Sequence, residues 1–250
     1  MSGILDGRIA FVTGSSNGLG RAIVDELARA GAIGAGIDIE DGESDLPEGW
    51  ADIRGDVANE NDVEAAIALM GEKFGGLDIV VANAGLVPPW SETRNIALDE
   101  WDHVFAVNVR GVISTIKHST PLMKRDGGSM VVMGSLNSQR AHPRQCLYTA
   151  TKHAVLGIVR ATALDLGRFG IRVNALGPGP IATDALLGRL QTRAEQGEPP
   201  VDEVLRQFAD DAALCRMATE KDVARAAVFL ASDLASGVTG QILPVDAGLA

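Results

Sequence analysis

Short apolar segments alternate with amphipathic segments along the whole chain. Between the apolar segments, side chains recur at the 3.6-residue spacing of helices packed on one face. The predicted strands are 8–13, 33–37, around 52–55, 77–82, 128–134, 171–175 and 240–245. The predicted helices are 21–30, 61–74, 98–123, 147–169 and 221–231. This alternation, without repeats or a linker, predicts a single α/β domain over residues 1–250. We expect one doubly wound parallel sheet of about seven strands with helices on both faces.

Three segments depart from this simple pattern. Residues 40–49 are acidic and contain Pro47, which favours an abbreviated turn or a single helical turn over a full crossover helix. Residues 183–211 are polar and predict two helical pieces around Pro199 and Pro200, so we expect a substrate lid at about 183–215. Asn108 interrupts the apolar pattern of the 98–123 helix. A buried asparagine there must be satisfied, either by a kinked backbone or by a proton-relay water.

Composition and charge narrow the range of functions. The 250 residues carry a formal net charge of −11, which argues against binding to nucleic acid but leaves room for a small anionic ligand in a local site. Two cysteines and four scattered histidines offer neither a disulfide framework nor metal-ligand spacing, so no metal is expected. The chain shows no signal peptide and no apolar run of the ~20 residues that span a bilayer. A cytoplasmic location without membrane contact is the simplest expectation.

A glycine-rich turn joins the first predicted strand to the first helix. Gly14, Gly18 and Gly20 follow the spacing Gly-x-x-x-Gly-x-Gly, which differs from the common dinucleotide fingerprint. Glycines at such a turn let the backbone approach a pyrophosphate, whose charge the helix N-terminus favours. The alternative is a tight turn without a ligand.

Asp38 ends the second predicted strand about 20 residues past the glycines, where an acid grips the ribose 2′-hydroxyl of a dinucleotide. A carboxylate there would repel a 2′-phosphate. Ile39, rather than a basic residue, follows Asp38, and Asn17 precedes Gly18. The sequence therefore predicts NAD rather than NADP, although an aspartate could also merely end a strand.

Other polar residues and turns also stand at predicted strand ends. Asn83 and Ser135 follow two strands, and a turn at 177–180 follows a third. Because the carboxyl ends of parallel strands share one edge, we expect these positions to meet in a single crevice. Asn83 either leaves room for a flat ligand or bridges neighbouring strands through its amide.

Tyr148 is the only tyrosine of the chain and lies four residues before Lys152 in a predicted helix. Residues four apart share a helix face, so the phenol and the ammonium should be neighbours. A phenol loses its proton near pH ~10, and a nearby cation lowers that pKa. We expect Lys152 to bring Tyr148 toward the working range of a general base. A part-buried Tyr beside a snorkelling Lys is the structural alternative.

Together these motifs resemble the short-chain dehydrogenase/reductase family over essentially the whole chain. Residues 13–20 fit its Thr-Gly-x-x-x-Gly-x-Gly, residues 83–85 fit its Asn-Ala-Gly, and 178–179 followed by Thr183 fit its Pro-Gly turn. The catalytic tetrad is matched by Asn108, Ser135, Tyr148 and Lys152. Two departures are the shortened 40–49 segment and Gly134, where the family often has serine.

The resemblance implies a mechanism and a cofactor site. Tyr148 would take the hydroxyl proton of a secondary alcohol as hydride passes to NAD⁺. Lys152 would bind the nicotinamide ribose, Ser135 would hold the substrate oxygen, and Asn108 would hold a water. The implied NAD-binding residues are Gly14, Ser16, Asn17, Gly18, Leu19, Gly20, Asp38, Ile39, Asp56, Val57, Asn83, Ala84, Gly85, Tyr148, Lys152, Pro178, Gly179, Ile181 and Thr183.

The substrate is the least defined part of the interpretation. Besides Ser135 and Tyr148, the predicted substrate residues are Asn137 and Gln145, with further candidates at Trp90, Gln139, Arg140, His142, Arg144, Leu186 and Leu187. The two arginines suggest a hydroxylated or anionic substrate such as a sugar, polyol or hydroxy acid. Alternatively, Arg140 and Arg144 belong to the surface or to a subunit interface.

Other functions remain as alternatives, among them an epimerase or a dehalogenase that would perform different chemistry at the same site. An NAD-binding sensor without turnover would be expected to have lost part of the tetrad. A reductase of a cyclic or steroid-like ketone would use the same site. An acyl-carrier-linked reductase would prefer NADPH and a basic docking patch, which Asp38 and the acidic balance disfavour. The resemblance also implies a homotetramer joined partly through the long helices.

Overall fold

In a computed structural model, which describes residues 3–40, 46–123 and 127–249, the chain forms one seven-stranded parallel sheet. The strands are β1 Ile9–Thr13, β2 Ile33–Asp38, β3 Trp50–Arg54, β4 Ile79–Ala82, β5 Gly128–Met133, β6 Ile171–Pro178 and β7 Ile242–Val245. Their order across the sheet is β3-β2-β1-β4-β5-β6-β7. The direction of the strand order reverses between β1 and β4, where a parallel sheet opens a crevice at its carboxyl edge. The predicted fold class is confirmed.

The helices are α1 Gly18–Arg29, α2 Glu60–Phe74, α3 Leu98–Phe105, α4 Gly111–Ser119, α5 Cys146–Leu166, α6 Asp184–Glu195, α7 Val201–Asp210 and α8 Glu220–Ala231. A π-helical turn, Ala106–Arg110, joins α3 to α4. Helices α2, α4 and α5 pack on one face of the sheet through residues such as Ile67, Val112 and Val159. Helices α1 and α8 cover the other face through residues such as Leu27 and Ala227. Burial on both faces explains why the strands read as continuous apolar runs.

Several predicted boundaries move. β3 begins two residues earlier than expected because the indole Nε1 of Trp50 donates to the Ala32 carbonyl (3.1 Å) and holds the strand start against β2. β6 extends beyond residue 175 to Pro178, since Leu176, Gly177 and Pro178 pair in register with β7. Of the 40–49 segment, residues 41–45 lie outside the described residues, and 46–49 contain no helix.

The predicted 98–123 helix is divided at Asn108, as the apolar pattern indicated. A π-helical turn carries an extra residue, so it shifts the faces of α3 and α4 relative to each other and points Asn108 inward. The predicted pair of helices at 183–211 is confirmed as α6 and α7, separated by the Pro199–Pro200 stretch. No helix in 3–40, 46–123 or 127–249 is long and apolar enough to cross a membrane.

Candidate active site

The predicted site residues gather at one edge of the sheet. The loops after β1, β2 and β3 carry 14–20, Ile39 and 56–57, while Asp38 ends β2 itself. The loops after β4, β5 and β6 carry 83–85, Ser135 with Asn137, and 179–183. Since all seven strands are parallel, these loops share the carboxyl edge. The expected convergence on one crevice is present.

The glycine turn is shaped by close backbone contacts. A Cβ at Gly20 would lie 1.7 Å from the Gly14 carbonyl oxygen, so α1 can start this close to the turn only with glycine. Gly14 has a φ of +66°, and a Cβ there would approach the Ala84 Cα to 2.9 Å. Gly18 also has a positive φ, +51°, but its nearest neighbour would be 3.9 Å away, which leaves open space above it.

The same turn has polar groups that are available to bind a cofactor. Asn17 precedes α1 in an extended conformation without capping the helix through its side chain, and the first turn of α1 has no acidic residue. The buried hydroxyl oxygen of Ser16 has no hydrogen-bond partner among the described residues. Free N–H groups at a helix N-terminus and an unpartnered hydroxyl fit a pyrophosphate. The residues present therefore fit a dinucleotide.

Asp38 is tied to this turn. Its Oδ2 accepts a hydrogen bond from the Ser16 backbone N–H at 2.9 Å, and its Oδ1 accepts from the Glu40 N–H at 3.3 Å. Asn17 donates to the Glu40 carboxylate at 3.4 Å. Two carboxylates thus stand beside the glycine turn, which is an unfavourable place for a phosphate monoester.

Asn83 turns out to bridge strands, one of the two alternatives left open by the sequence. Its Nδ2 donates to the carbonyl oxygens of Thr13 and Gly14, both at 3.0 Å. The Thr13 hydroxyl accepts from the backbone N–H groups of Asn83 and Ala84 at 3.0 Å. These bonds fix the loop after β4 against the glycine turn. Thr13 was not among the predicted site residues, although its place before Gly14 was a usable signal.

Asn108 is satisfied by a neighbouring loop and a helix. Its Oδ1 accepts from the Leu86 N–H at 2.7 Å, while its Nδ2 donates to the Leu86 carbonyl at 2.8 Å and to the Thr151 hydroxyl at 3.2 Å. A Cβ at Gly85 would lie 3.3 Å from Asn108 Oδ1 and 3.7 Å from Lys152 Nζ. Asn108 therefore stands near Lys152 and connects the loop after β4 to α5. Thr151 is a second partner that the sequence did not reveal.

Tyr148 and Lys152 occupy one face of α5, as predicted. The Lys152 Nζ lies 5.7 Å from the centroid of the Tyr148 ring. Lys152 is buried, and its ammonium donates to the Met133 carbonyl at 2.8 Å, directly before the loop that carries Ser135. Burial lowers the pKa of Lys152 to about 8, so the side chain is still mostly protonated at neutral pH.

The prediction that Lys152 lowers the Tyr148 pKa is wrong. Burial raises the pKa of Tyr148 and outweighs two opposing effects, a hydrogen bond with the Ser135 hydroxyl and the positive charge of Arg189. The ammonium of Lys152 donates to the Met133 carbonyl and does not offset this effect of burial. Spacing on a helix predicted that the two side chains are neighbours but not that Lys152 is buried and Tyr148 partly so.

Ser135 begins a short 3₁₀ turn, Leu136–Ser138, and is held by a capping box. Its hydroxyl oxygen accepts from the Asn137 N–H at 3.1 Å, and its own N–H donates to the Ser138 hydroxyl at 3.2 Å. Gly134 before it has no room for a side chain, since a Cβ would lie 2.7 Å from the Leu176 carbonyl oxygen. The loop thus presents Ser135 to Tyr148 in a fixed orientation.

Asn137 and Gln145 bind each other. Asn137 Nδ2 donates to Gln145 Oε1 at 2.7 Å and to the Thr149 hydroxyl at 3.2 Å. These bonds brace the Ser135 loop against the start of α5. Gln145 also lines the crevice that contains Tyr148, whereas Asn137 is buried.

Ion pairs connect the segment predicted as a lid to the crevice. Arg144 Nη2 contacts Glu198 Oε1 at 2.8 Å, and Arg193 of α6 pairs with the other oxygen of the same carboxylate. The Arg193 guanidinium also stacks on Trp90, 3.4 Å from the ring centroid. The two guanidinium groups hold the pKa of Glu198 below its usual value. Arg144 is therefore engaged with the lid, and Arg140 reaches the Leu249 carbonyl at 3.4 Å.

Trp90 and Tyr148 line a common crevice. Its apolar side is formed by Val87, Pro88, Pro89, Ile96 and Leu147, while Ser91, Glu100, Arg144 and Gln145 stand at polar positions. Of the remaining substrate candidates, Leu186 is a buried residue of α6, while Gln139, His142 and Leu187 do not line this crevice. Among residues 3–40, 46–123 and 127–249, no group of acidic, histidine or cysteine side chains could hold a metal ion.

Comparison with known proteins identifies relatives along the whole chain. Residues 14–250 match the sequence model of a family described as Enoyl-(Acyl carrier protein) reductase. The chain is 40% identical to (+)-borneol dehydrogenase 2 of Salvia officinalis, over 97% of this chain and 89% of that protein. It is 36% identical to short-chain dehydrogenase reductase 3a of Arabidopsis thaliana, over 99% of this chain and 97% of that one. The ligand-free aldohexose dehydrogenase of Thermoplasma acidophilum superimposes with a TM-score of 0.89 at 30% identity, covering 98% and 94% of the two chains.

Proposed function

The chain belongs to the short-chain dehydrogenase/reductase family of nicotinamide-dependent oxidoreductases, and we propose that it transfers a hydride between a secondary alcohol and NAD. The observation that carries this proposal is the meeting of Ser135, Tyr148 and Lys152 at the carboxyl edge of the sheet, beside a glycine turn that fits a dinucleotide. The names of the relatives, a borneol dehydrogenase and an aldohexose dehydrogenase, both describe oxidation of an alcohol.

The proposed chemistry assigns one role to each side chain. Bound NAD⁺ supplies the hydride acceptor. Tyr148 takes the hydroxyl proton of the alcohol and returns it in the reverse reaction. Ser135 holds the substrate oxygen and stabilises its developing charge. Lys152 offers its remaining N–H groups to the nicotinamide ribose. Asn108, whose side-chain amide binds Leu86 and Thr151, holds the loop after β4 against α5 beside Lys152.

The cyclic-ketone reductase stays as a second candidate because one side of the crevice is apolar. Val87, Pro88, Pro89 and Leu147 give Tyr148 a setting suited to a compact hydrocarbon ring. A carrier-linked reductase, the activity in the description of the matching family, has less support. The net charge of −11 and the two carboxylates beside the glycine turn oppose an acidic carrier and an NADPH phosphate.

A substrate panel tests the reaction. We expect NADH absorbance to develop with NAD⁺ and at least one class among acyclic secondary alcohols, cyclic alcohols, polyols and hydroxy acids. The reverse reaction should consume NADH with the matching ketone. A protein that binds NADH in a fluorescence titration but turns over none of these classes in either direction would instead be the sensor.

Cofactor preference is tested at Asp38. We expect Asp38→Asn to raise the NADP⁺/NAD⁺ ratio of kcat/KM by about tenfold or more, because it removes a charge that repels a 2′-phosphate a few ångströms away. The asparagine oxygen can still accept from the Ser16 N–H, and Arg54 lies beside residue 38 in strand register.

Steady-state kinetics with both cofactors give the ratio. Asp165→Asn, at the exposed far end of α5, is the matched control that removes one charge remote from the glycine turn. A wild-type enzyme that already prefers NADP⁺, or an unchanged ratio in Asp38→Asn, would contradict the assignment.

A further inference from the structure

Arg189 is the charged group of the lid whose role the mechanism above leaves unexplained. It lies on α6 between Leu186 and Leu190, both buried, and one turn before Arg193. Residues four apart share a helix face, so Arg189 and Arg193 flank the same buried stripe. Arg193 stacks on Trp90, which lines the crevice together with Tyr148. The face of α6 that carries Arg189 is therefore the one turned to the reacting phenol.

The guanidinium of Arg189 is half-buried without a counter-ion. Burial lowers its pKa, and the phenolate form of Tyr148 opposes that effect, which places the two side chains within electrostatic reach. Within the described part of the chain no carboxylate pairs with Arg189, whereas Arg144 and Arg193 share Glu198. A partly desolvated guanidinium without an anion is unfavourable and gains most from binding one.

The surroundings favour an anion in the crevice despite the acidic chain. Around Tyr148 the cations are Lys152, Arg144, Arg189 and Arg193, and the carboxylates are Glu198 and Glu100. The local balance is therefore positive where the whole chain is −11. A positive site of this kind concentrates anions locally even when the net charge of the protein is negative.

Resting on the proposed function, we propose that Arg189 binds a carboxylate of the substrate, so that the enzyme acts on a secondary alcohol whose apolar body carries an acid group. The hydrocarbon part packs against Pro88, Pro89 and Leu147, and the carboxylate meets the guanidinium of the lid. A planar guanidinium suits a carboxylate because two parallel N–H groups can bind its two oxygens. This role replaces the one suggested by the sequence for Arg144, whose guanidinium is occupied by Glu198.

The probes are 3-hydroxycyclohexanecarboxylate and its neutral carboxamide, which differ in charge and hardly in shape. We expect wild-type kcat/KM to favour the acid, and Arg189→Gln to lower the acid-to-amide ratio at least tenfold. Arg189→Lys should retain part of the preference. Arg206→Gln, which removes an exposed charge from the neighbouring α7, should leave the ratio unchanged.

Binding is measured separately by calorimetry, with each probe titrated into the NADH complex, in which the alcohol cannot be oxidised. We expect tighter binding of the acid than of the amide, and a loss of that difference in Arg189→Gln with an unchanged Kd for NADH. An equal Kd for both probes in the wild-type protein would overturn the proposal. So would an Arg189→Gln variant in which the difference between acid and amide is unchanged, or one in which NADH binding is weakened instead. If neither probe is turned over, the hydride-transfer assignment fails for this class and the calorimetric difference alone decides the role of Arg189.

Discussion

Tyr148→Phe is expected to reduce kcat for alcohol oxidation by about three orders of magnitude, the middle of the range for losing a general acid–base group. The phenyl ring keeps the packing of the side chain on α5 but cannot carry the proton. NADH binding should survive, since the glycine turn and Asp38 are unchanged. Stopped-flow or steady-state absorbance gives the rate, and a fluorescence titration gives the NADH Kd.

Truncation of the ring, as in Tyr148→Ala, would confuse lost chemistry with a cavity, so the informative comparison is with Ser135→Ala. That variant removes a hydroxyl that hydrogen-bonds the phenol and should slow turnover less than Tyr148→Phe does. Activity of Tyr148→Phe within tenfold of wild type would exclude Tyr148 as the proton donor and acceptor.

The pH dependence of the wild-type reaction rates tests the same assignment of Tyr148 as the general acid and base. Burial raises the pKa of Tyr148, so the phenolate needed as base forms only toward alkaline pH. The rate of alcohol oxidation should therefore rise with pH, while ketone reduction, which needs the protonated phenol, should fall over the same range. In Tyr148→Phe any residual rate should no longer show this dependence on pH.

The sequence predicts those features of the protein that depend on residues close together in the chain. The Tyr148–Lys152 pair needs only the helical repeat, and the glycine turn needs only its place between a strand and a helix. Both are found where the sequence predicted them. The position of Ser135 follows from the parallel arrangement of the sheet, which brings strand ends together.

Features that depend on how separate elements of the chain pack together could not be predicted in this way. The Tyr148 pKa depends on the burial of the phenol by neighbouring elements, and no spacing along the chain encodes that burial. The ion pairs of Glu198 join residues 54 and 5 positions apart, so Arg144 looked free in the sequence. Arg189 and Arg193 stand four residues apart on one helix, a signal that gains meaning only once the face of α6 that covers the crevice is known.

Gly20→Ala is expected to destabilise the protein by about 2–4 kcal/mol, at or above the usual cost of overpacking, and to abolish measurable NAD binding. The added methyl group would lie 1.7 Å from the Gly14 carbonyl oxygen and 2.6 Å from Asn83 Nδ2. Relief requires α1 to move away from the glycine turn and from Asn83, whose amide is held by its bonds to Thr13 and Gly14. The first N–H groups of α1, aimed at the pyrophosphate site, move with the helix.

Gly188→Ala is the matched control because the same methyl group meets no atom within 4 Å at its position in α6. Replacing glycine by alanine in an open helical position should raise stability by about 0.5–1 kcal/mol. Urea unfolding of both variants, with and without NADH, separates the two effects. Wild-type protein and Gly188→Ala should gain stability from NADH, whereas Gly20→Ala should gain none. A Gly20→Ala protein that binds NADH as tightly as wild type would show that the contact between α1 and the turn does not shape the cofactor site.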